Sequence, residues 1–375
     1  MNFLFHVVPS DHPLLRYQHE YVSLCEGLRE LGYTFYGTAE YWQEPEKKQF
    51  LIHKAPVSFV SDVAVYNTYY FAAFPEAIKE VDYSRINILI DREDGLYGTY
   101  GHPMFKKFNL ILRTHYNGHI NYTYYHPNIK PWAFGLSNRI MKAVDDSFDE
   151  PTIDRILVNF RIAHQLRDKA AHSFVPFLAE RYPVFNRITN EIGALGTSAS
   201  TTEYDRINWE QSGHRHDPAY YRLLNTSILT STFGGFVFLK PFATNRIVRQ
   251  GQHFYGLLSK ILKGLGKDDA VCYFIDQYDS WRLWEAFYAK TCPVHMDFEY
   301  WKWILPVMPK NKVHYWGVSG FRFEQSAQEL LEMHRDDILQ IANQGRTWSA
   351  ANYGPVPVAD RFLKLVKELE KRGDF

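Results

Sequence analysis

The sequence is poor in cysteine and contains no long apolar run. Its 375 residues include only three cysteines, which are far apart: Cys25, Cys272 and Cys292. This number and spacing exclude a disulfide framework and a zinc site of paired cysteines, and they favour a reducing compartment. No stretch approaches the roughly 20 apolar residues that a membrane helix needs. The short apolar start, residues 1–8, lacks the basic lead of a signal peptide. We therefore expect a soluble, cytoplasmic chain.

The sequence also lacks net charge, because 42 basic side chains balance 42 acidic ones. Nucleic-acid-binding proteins usually carry a basic excess, so the balance disfavours such a partner, although a local basic patch stays open. Aromatic residues make up 17% of the chain, and we assign most of them to the core, where aromatic burial dominates. The length exceeds that of a single compact core and predicts two domains.

Alternating strand and helix patterns run through the chain. Residues 2–8 are predicted to form a buried strand, 14–31 a helix that stops at Gly32, and 33–36 the next strand. This β-α-β opening predicts a parallel sheet. Further strands are predicted at 63–66, 86–90, 110–113, 155–159, 227–231, 271–275 and 293–296, and further helices at 71–81, 163–181, 219–225, 280–289, 324–343 and 358–372.

A polar segment, residues 147–154, interrupts this rhythm and contains Pro151. It predicts an N-terminal α/β domain over residues 1–150, a second α/β domain over 151–350 and a C-terminal helix within 351–375. The fold class is then α/β, with two Rossmann-like domains that face a cleft. Residues 236–267 break the second series with Lys240, Arg246 and Arg249. They suit a surface insertion and a mobile lid over the cleft equally well.

One predicted helix carries a recognisable pattern. The pattern reads Ser280-x-Arg282-x-x-Glu285-Ala286, and Pro293-Val294 follows. Asp279 or Ser280 is placed to cap the helix. Its N-terminus carries partial positive charge and free N–H groups that suit a diphosphate, and Arg282 adds a charged fork for phosphate oxygens. The competing interpretation is a capped amphipathic helix with a surface pair between Arg282 and Glu285.

This segment resembles the nucleotide-sugar motif of GT-B glycosyltransferases, particularly the exostosin-like ones. The run Tyr220-Tyr221-x-x-Leu224-x-x-Ser227 resembles the part that precedes that motif. The resemblance covers roughly residues 155–320. It implies a GT-B architecture and a nucleotide-sugar donor, for which a UDP-sugar is the first candidate. It implies that Glu285 accepts hydrogen bonds from the ribose hydroxyls. It also implies no cofactor and no metal, because these enzymes generally stabilise the leaving diphosphate with helix dipoles and basic side chains.

The sequence departs from the family pattern at two points. Lys290-Thr291-Cys292 stands where a glycine usually precedes Pro-Val. Gln277 stands where retaining members often have a first glutamate, eight positions before Glu285. The second departure favours an inverting reaction.

A second basic group follows the first strand of the C-terminal domain. Arg161, His164 and Arg167 are spaced three residues apart, so one helix edge can present all of them. GT-B relatives often place a basic residue here for the donor phosphates. A solvated basic helix edge explains the spacing equally well.

The catalytic base should come from the N-terminal domain, where polar residues follow the strand ends that line the crevice of an open α/β sheet. Asp94 and Asp91 rank first, His115 next, and His12 with Asp11 after them. Each of these also suits a turn or a cap. The tyrosine-rich stretch 116–125 is predicted either to line an acceptor groove or to be structural.

The predicted function is transfer of a sugar from a nucleotide sugar to a hydroxyl of a glycan or another acceptor. One alternative is a DNA-modifying glucosyltransferase of the same fold, kept open by Lys106, Lys107, Arg113 and the basic insertion over residues 236–267. Another is a non-catalytic protein that binds nucleotides or carbohydrates on this scaffold. A third is a nucleotide-sugar epimerase. No Gly-x-Gly-x-x-Gly follows the first strand, so a Rossmann dehydrogenase is disfavoured.

Overall fold

The computed structural model describes residues 1–9, 12, 17–93, 103–160, 162, 165–186, 202–213, 218–239, 261–262 and 264–373. The strands are β1 (Asn2–Phe5), β2 (Thr34–Gly37), β3 (Tyr41–Glu44), β4 (Gln49–Ile52), β5 (Val63–Asn67), β6 (Ile86–Asp91), β7 (Leu110–Arg113), β8 (Ile129–Pro131), β9 (Ile153–Val158), β10 (Val184–Asn186), β11 (Ser227–Ser231), β12 (Phe236–Leu239), β13 (Tyr273–Asp276), β14 (Cys292–Met296) and β15 (Trp316–Val318). The helices are α1 (His19–Glu30), α2 (Thr68–Ala73), α3 (Asn138–Asp145), α4 (Gln165–Ser173), α5 (Val175–Leu178), α6 (Glu203–Gln211), α7 (Pro218–Thr226), α8 (Asp269–Cys272), α9 (Trp281–Tyr288), α10 (Phe323–Leu331), α11 (Arg335–Tyr353) and α12 (Pro355–Arg372).

The N-terminal half forms a six-stranded parallel sheet in the order β2-β1-β5-β6-β7-β8. Every residue of β5 and β6 is buried. Strands covered on both faces are expected to be nearly continuous apolar runs, which explains the sequence of β6. The predicted β-α-β opening is confirmed.

The C-terminal half forms a five-stranded parallel sheet in the order β10-β9-β11-β14-β15. The strand predicted at 271–275 appears as β13, but it lies outside this sheet. It pairs antiparallel with β12 in a separate two-stranded ribbon. β12 begins the 236–267 segment. Residues 240–260 and 263 lie outside the described residues, so insertion and lid both stay open.

Three predicted helices are divided. Residues 71–81 become α2 and a 3₁₀ turn over Pro75–Glu80, because proline lacks the amide hydrogen that would continue the helix. The described part of 163–181 divides into α4 and α5 in the same way, with a proline at the start of α5. Residues 324–343 divide between α10 and α11.

The last helix returns to the N-terminal domain. α12 packs lengthwise on α1, and its apolar face joins the N-terminal core through Val358, Phe362 and Val366. The two crossings of the chain between the domains lie side by side, since the amide of Leu136 donates to the carbonyl of Tyr353 at 2.8 Å. The domains are therefore joined by two adjacent segments.

Gly27 sets how closely α12 approaches α1. A Cβ atom at this position would overlap the carbonyl oxygen of Pro355 and lie 2.7 Å from the Ala359 Cβ. We expect Gly27→Ala to lower the free energy of unfolding by about 1–3 kcal/mol through overpacking, measured by urea denaturation. Helix propensity alone would raise it by about 1 kcal/mol, so the sign discriminates. Gly264→Ala is the control, because no atom lies within 4 Å of its Cβ position. A Gly27→Ala protein as stable as this control would contradict the packing.

Candidate functional site

Strand ends of both domains meet around residues 276–280, which we call the junction segment. From the N-terminal domain, the carboxyl ends of β6 and β7 approach it, as shown by the 3.8 Å separation of Arg113 Nη2 and Asp276 Oδ2. From the C-terminal domain, Gly234 and Gly235 follow β11 and lie against the Gln277 backbone. The crevice beyond the strand ends is where ligands bind in open α/β sheets.

α9 begins directly after the junction segment, and its N-terminus faces the N-terminal domain. The ring of Trp281 lies 5.2 Å from that of Tyr17, and the Arg92 guanidinium lies 5.7 Å from the Trp281 ring. Arg92 is itself held in a buried ion pair with Glu20 at 2.6 Å. The positive end of the predicted nucleotide helix therefore lies at the domain boundary.

The helix is not capped as the sequence predicts. Ser280 is the N-cap residue with an extended backbone, but its side chain makes no capping hydrogen bond. Asp279, which precedes the helix, instead fixes its start through both carboxylate oxygens. Its Oδ1 accepts from Trp284 Nε1 at 2.6 Å, and its Oδ2 accepts from the Phe134 amide at 2.9 Å.

Arg282 is half-buried in the first turn of α9. Within the described ranges its guanidinium makes no hydrogen bond and no ion pair, and its charge acts to lower the pKa of Tyr220. The alternative of a surface pair with Glu285 is therefore wrong. A cation held at a helix N-terminus without a protein counter-ion is suited to an anionic ligand.

Glu285 is fully buried on the next turn of α9. Its Oε1 accepts from the Tyr221 hydroxyl at 3.2 Å, and Tyr220 is buried beside Tyr221 with the two ring centroids 5.4 Å apart. Burial raises the pKa of both tyrosines well above the ordinary value, so they remain hydrogen-bond donors. Tyr221, one of the two tyrosines singled out in the sequence, thus orients the Glu285 carboxylate.

A buried guanidinium lies between carboxylates of the two domains. Arg113 Nη1 is 3.1 Å from Asp91 Oδ1, and its other arm faces Asp276 across the boundary. Burial raises the pKa of Asp276, which the Arg113 charge opposes. Asp91, a predicted catalytic residue, lies beside the junction segment, where its carboxylate forms an ion pair with Arg113. Arg113 is 1% exposed, so it offers no surface charge to DNA.

His115, another predicted catalytic residue, contacts the same segment. Its Nδ1 accepts from the Asp279 amide at 3.2 Å, so a neutral ring carries its proton on Nε2. The ring is fully buried against Phe134 and Tyr278. In this arrangement His115 joins the two domains by accepting a hydrogen bond from the residue just before α9.

Arg167 is the described member of the second predicted basic group. Its Nε donates to the Phe233 carbonyl at 3.0 Å, and the guanidinium lies over the Phe160 ring. It therefore lies beside the loop that follows β11, on the cleft side of the sheet. Arg161, His164 and Asp94 lie outside the described residues.

The remaining acceptor-side candidates divide between structural and exposed positions. Tyr122 is buried and accepts from the Asn117 amide at 3.0 Å, with Tyr116 over its ring, so this part of 116–125 is structural. His12 packs edge-on against Phe74. Asp11 lies outside the described residues.

Sequence reasoning missed Asp276 and Arg139. Asp276 ends β13, so the strand-end rule that selected Asp91 also applies to it. Arg139 lies inside α3, and no local signal distinguishes it from a surface residue of that helix.

The part of the chain that the structure describes contains no group of three or more His, Cys, Asp or Glu side chains arranged to hold a metal ion. Among the same residues, no helix has the length and apolar character to cross a membrane.

No protein-family model matches the chain, and no curated protein matches it either. Solved structures do. An alpha-glucosyltransferase in complex with UDP-glucose and DNA containing an abasic site aligns over 98% of this chain and 99% of its own, with a TM-score of 0.53 and 7% identity. Anabaena HepE in complex with UDP and glucose aligns over 98% and 100%, with a TM-score of 0.50 and 10% identity. At such identities the likeness shows the fold alone, which is two Rossmann-like domains in the GT-B arrangement.

The buried carboxyl of Asp279 should make the stability of the fold depend on pH. Burial raises its pKa from 3.8 to about 6, although His115 and the bound N–H groups lower it. Because the folded-state pKa lies above the unfolded one, the native protein protonates first as the pH falls. The free energy of unfolding of the parent, compared with that of Asp279→Asn, should then decrease by up to about 3 kcal/mol as the pH rises from about 4 to about 6. Above about pH 6 this difference should change little.

Urea unfolding of both proteins at half-unit pH steps measures this difference. Asp336→Asn, an exposed carboxyl on α11, is the control and should track the parent. A parent–Asp279→Asn difference that stays constant across the window would disprove the assignment.

Proposed function

We propose that this chain is a glycosyltransferase that moves a sugar from a nucleotide-sugar donor to a hydroxyl acceptor, with a UDP-sugar as the first candidate donor. The observation that carries the proposal is Arg282: a half-buried cation with no counter-ion in the described chain, at the N-terminus of a helix that begins at the boundary between two Rossmann-like domains. The similar structures named above hold UDP or UDP-glucose, which agrees with this donor.

The donor is proposed to lie along α9. Its diphosphate takes the helix N-terminus and Arg282, with Arg167 reaching it from the loop side of the β9–β11 edge. Its ribose hydroxyls donate to Glu285, the carboxylate that Tyr221 holds through a hydrogen bond. A carboxylate has room for several donors, so a tyrosine bond does not exclude the ribose.

The acceptor hydroxyl needs a base, and the leaving diphosphate needs charge stabilisation. Asp94 is our first choice for the base. Asp91, three residues earlier, is engaged by Arg113, and His115 presents an N–H at Nε2 rather than a lone pair. The Asp91–Arg113 pair is then proposed to fix the strand end from which Asp94 extends.

We propose that the reaction is metal-independent and inverting. Basic side chains and the helix N-terminus take over charge stabilisation of the diphosphate. Gln277 is neutral and occupies the position of the first glutamate of retaining members. Proton NMR of the first product formed from UDP-α-glucose, with and without EDTA, tests both points: we expect the β-anomer at an unchanged rate.

A DNA-modifying glucosyltransferase is the second candidate, because one of the similar structures is an alpha-glucosyltransferase bound to DNA. Of the basic residues that favoured it, Arg113 is buried, whereas Lys106 and Lys107 remain exposed. A duplex-binding titration at rising salt separates the candidates, since DNA affinity should fall steeply with salt concentration. Binding of UDP without any sugar transfer would instead indicate a non-catalytic protein.

Removal of either donor contact should abolish nucleotide binding. We expect UDP at one hundred times its dissociation constant to stabilise the parent by about 2.7 kcal/mol, seen as a thermal shift. Arg282→Ala and Glu285→Gln should lose most of that shift while their unliganded melting temperatures stay close to the parent's.

Arg222→Ala is the matched control, since this exposed arginine on α7 pairs only with Glu150 in the described part of the chain. It should respond to UDP like the parent. If Arg282→Ala and Glu285→Gln respond equally well, the donor site lies elsewhere.

A further inference from the structure

A continuous line of buried side chains connects the N-terminal domain to Glu285. His19 of α1 bonds the Tyr17 hydroxyl at 3.0 Å, and Arg139 Nη2 donates to that hydroxyl at 3.3 Å. Arg139 Nη1 donates to the Tyr221 hydroxyl at 2.9 Å, and Tyr221 donates to Glu285. Arg139 is thus a fork with one arm toward each domain.

The position of Arg139 is costly for stability. It is 5% exposed, and within the described ranges it forms no ion pair and its Nε has no hydrogen-bond partner. Its positive charge is stabilised by hydrogen bonds to two tyrosine hydroxyls and by the rings of Tyr17 and Trp42. The charge of Glu285, on the far side of Tyr221, also attracts it. Burying a guanidinium without a direct anion is unfavourable, so an apolar side chain would serve packing alone better.

The hydrogen bond from Arg139 orients the hydroxyl group of Tyr221. A hydroxyl that accepts from Arg139 has its hydrogen left to donate, and the acceptor within reach is Glu285. The orientation of the carboxylate is therefore set by a group that the other domain holds in place through Tyr17.

We propose that Arg139 is a positioning residue for Glu285: through Tyr221 it aims the carboxylate at the donor ribose, and through Tyr17 it makes this aim depend on the contact between the domains. This inference rests on the proposed function, because it takes Glu285 as the ribose ligand. No part of Arg139 needs to touch the donor.

The test compares UDP with 2′-deoxy-UDP, which lacks one ribose hydroxyl, by calorimetric titration of the full chain. A hydrogen bond to a carboxylate should give the parent a preference for UDP of about tenfold or more. Arg139→Lys and Tyr221→Phe should reduce that preference to within about threefold and leave the affinity for 2′-deoxy-UDP nearly unchanged. Tyr17→Phe should reduce it as well.

A purely structural role would lower the melting temperature or weaken both nucleotides equally. Arg155→Lys is the matched control, because this half-buried arginine bonds Ser227 and Thr226 at the opposite, amino-terminal end of the sheet. It should keep the parent's preference.

The outcomes separate the two proposals. If the parent binds neither nucleotide, or binds both equally, the ribose role of Glu285 fails and the inference fails with it. If the parent discriminates and Arg139→Lys and Tyr221→Phe discriminate equally well, the inference alone is overturned. If only Tyr17→Phe keeps full discrimination, the dependence on the domain contact is overturned. Should Arg139→Lys not fold, Tyr221→Phe, which loses one oxygen atom, decides by itself.

Discussion

The structure depends on how Asp279 is held at the domain boundary. Its carboxylate accepts from Phe134 and from Trp284, while its amide donates to His115. The bonds with Phe134 and His115 fix the start of α9 against the N-terminal half, and the bond from Trp284 ties Asp279 to α9 itself. The direction of the helix N-terminus, the exposure of Arg282 and the depth of Glu285 all follow from that attachment. A site built between two domains requires such a fixed point.

Buried charge is concentrated at this boundary rather than spread through the cores. Arg113 lies between Asp91 and Asp276, and Arg92 pairs with Glu20 beneath Trp281. Buried ion pairs contribute little net stability, because desolvation offsets their attraction. Of these contacts, Arg113–Asp276 is the one that crosses the boundary, and a shifted domain would separate the two buried charges. We therefore interpret the Arg113–Asp276 contact as favouring one relative orientation of the domains.

Local sequence was sufficient for the strands and the helix that lead to the site, and for the sheet edge at which the site lies. The apolar strand ahead of Asp91 and the helix that begins beside Ser280 were predicted because each depends on neighbours along the chain. The strand-end rule likewise brought Asp91 and His115 to the junction. Sequence reasoning failed where partners are remote: Arg139 and Tyr17 are 122 positions apart, β13 pairs with β12 instead of the main sheet, and capping by Ser280 gave way to long-range bonds of Asp279. No periodicity records such pairings.

The return of α12 to the N-terminal domain has a consequence for biosynthesis. The N-terminal domain lacks one wall of its core until α12 has been synthesised, because Val358, Phe362 and Val366 belong to that core. Until then α1 presents an open apolar surface around Gly27. Folding of the N-terminal half must therefore await synthesis of α12, about 220 residues after the last strand of its own sheet has been made.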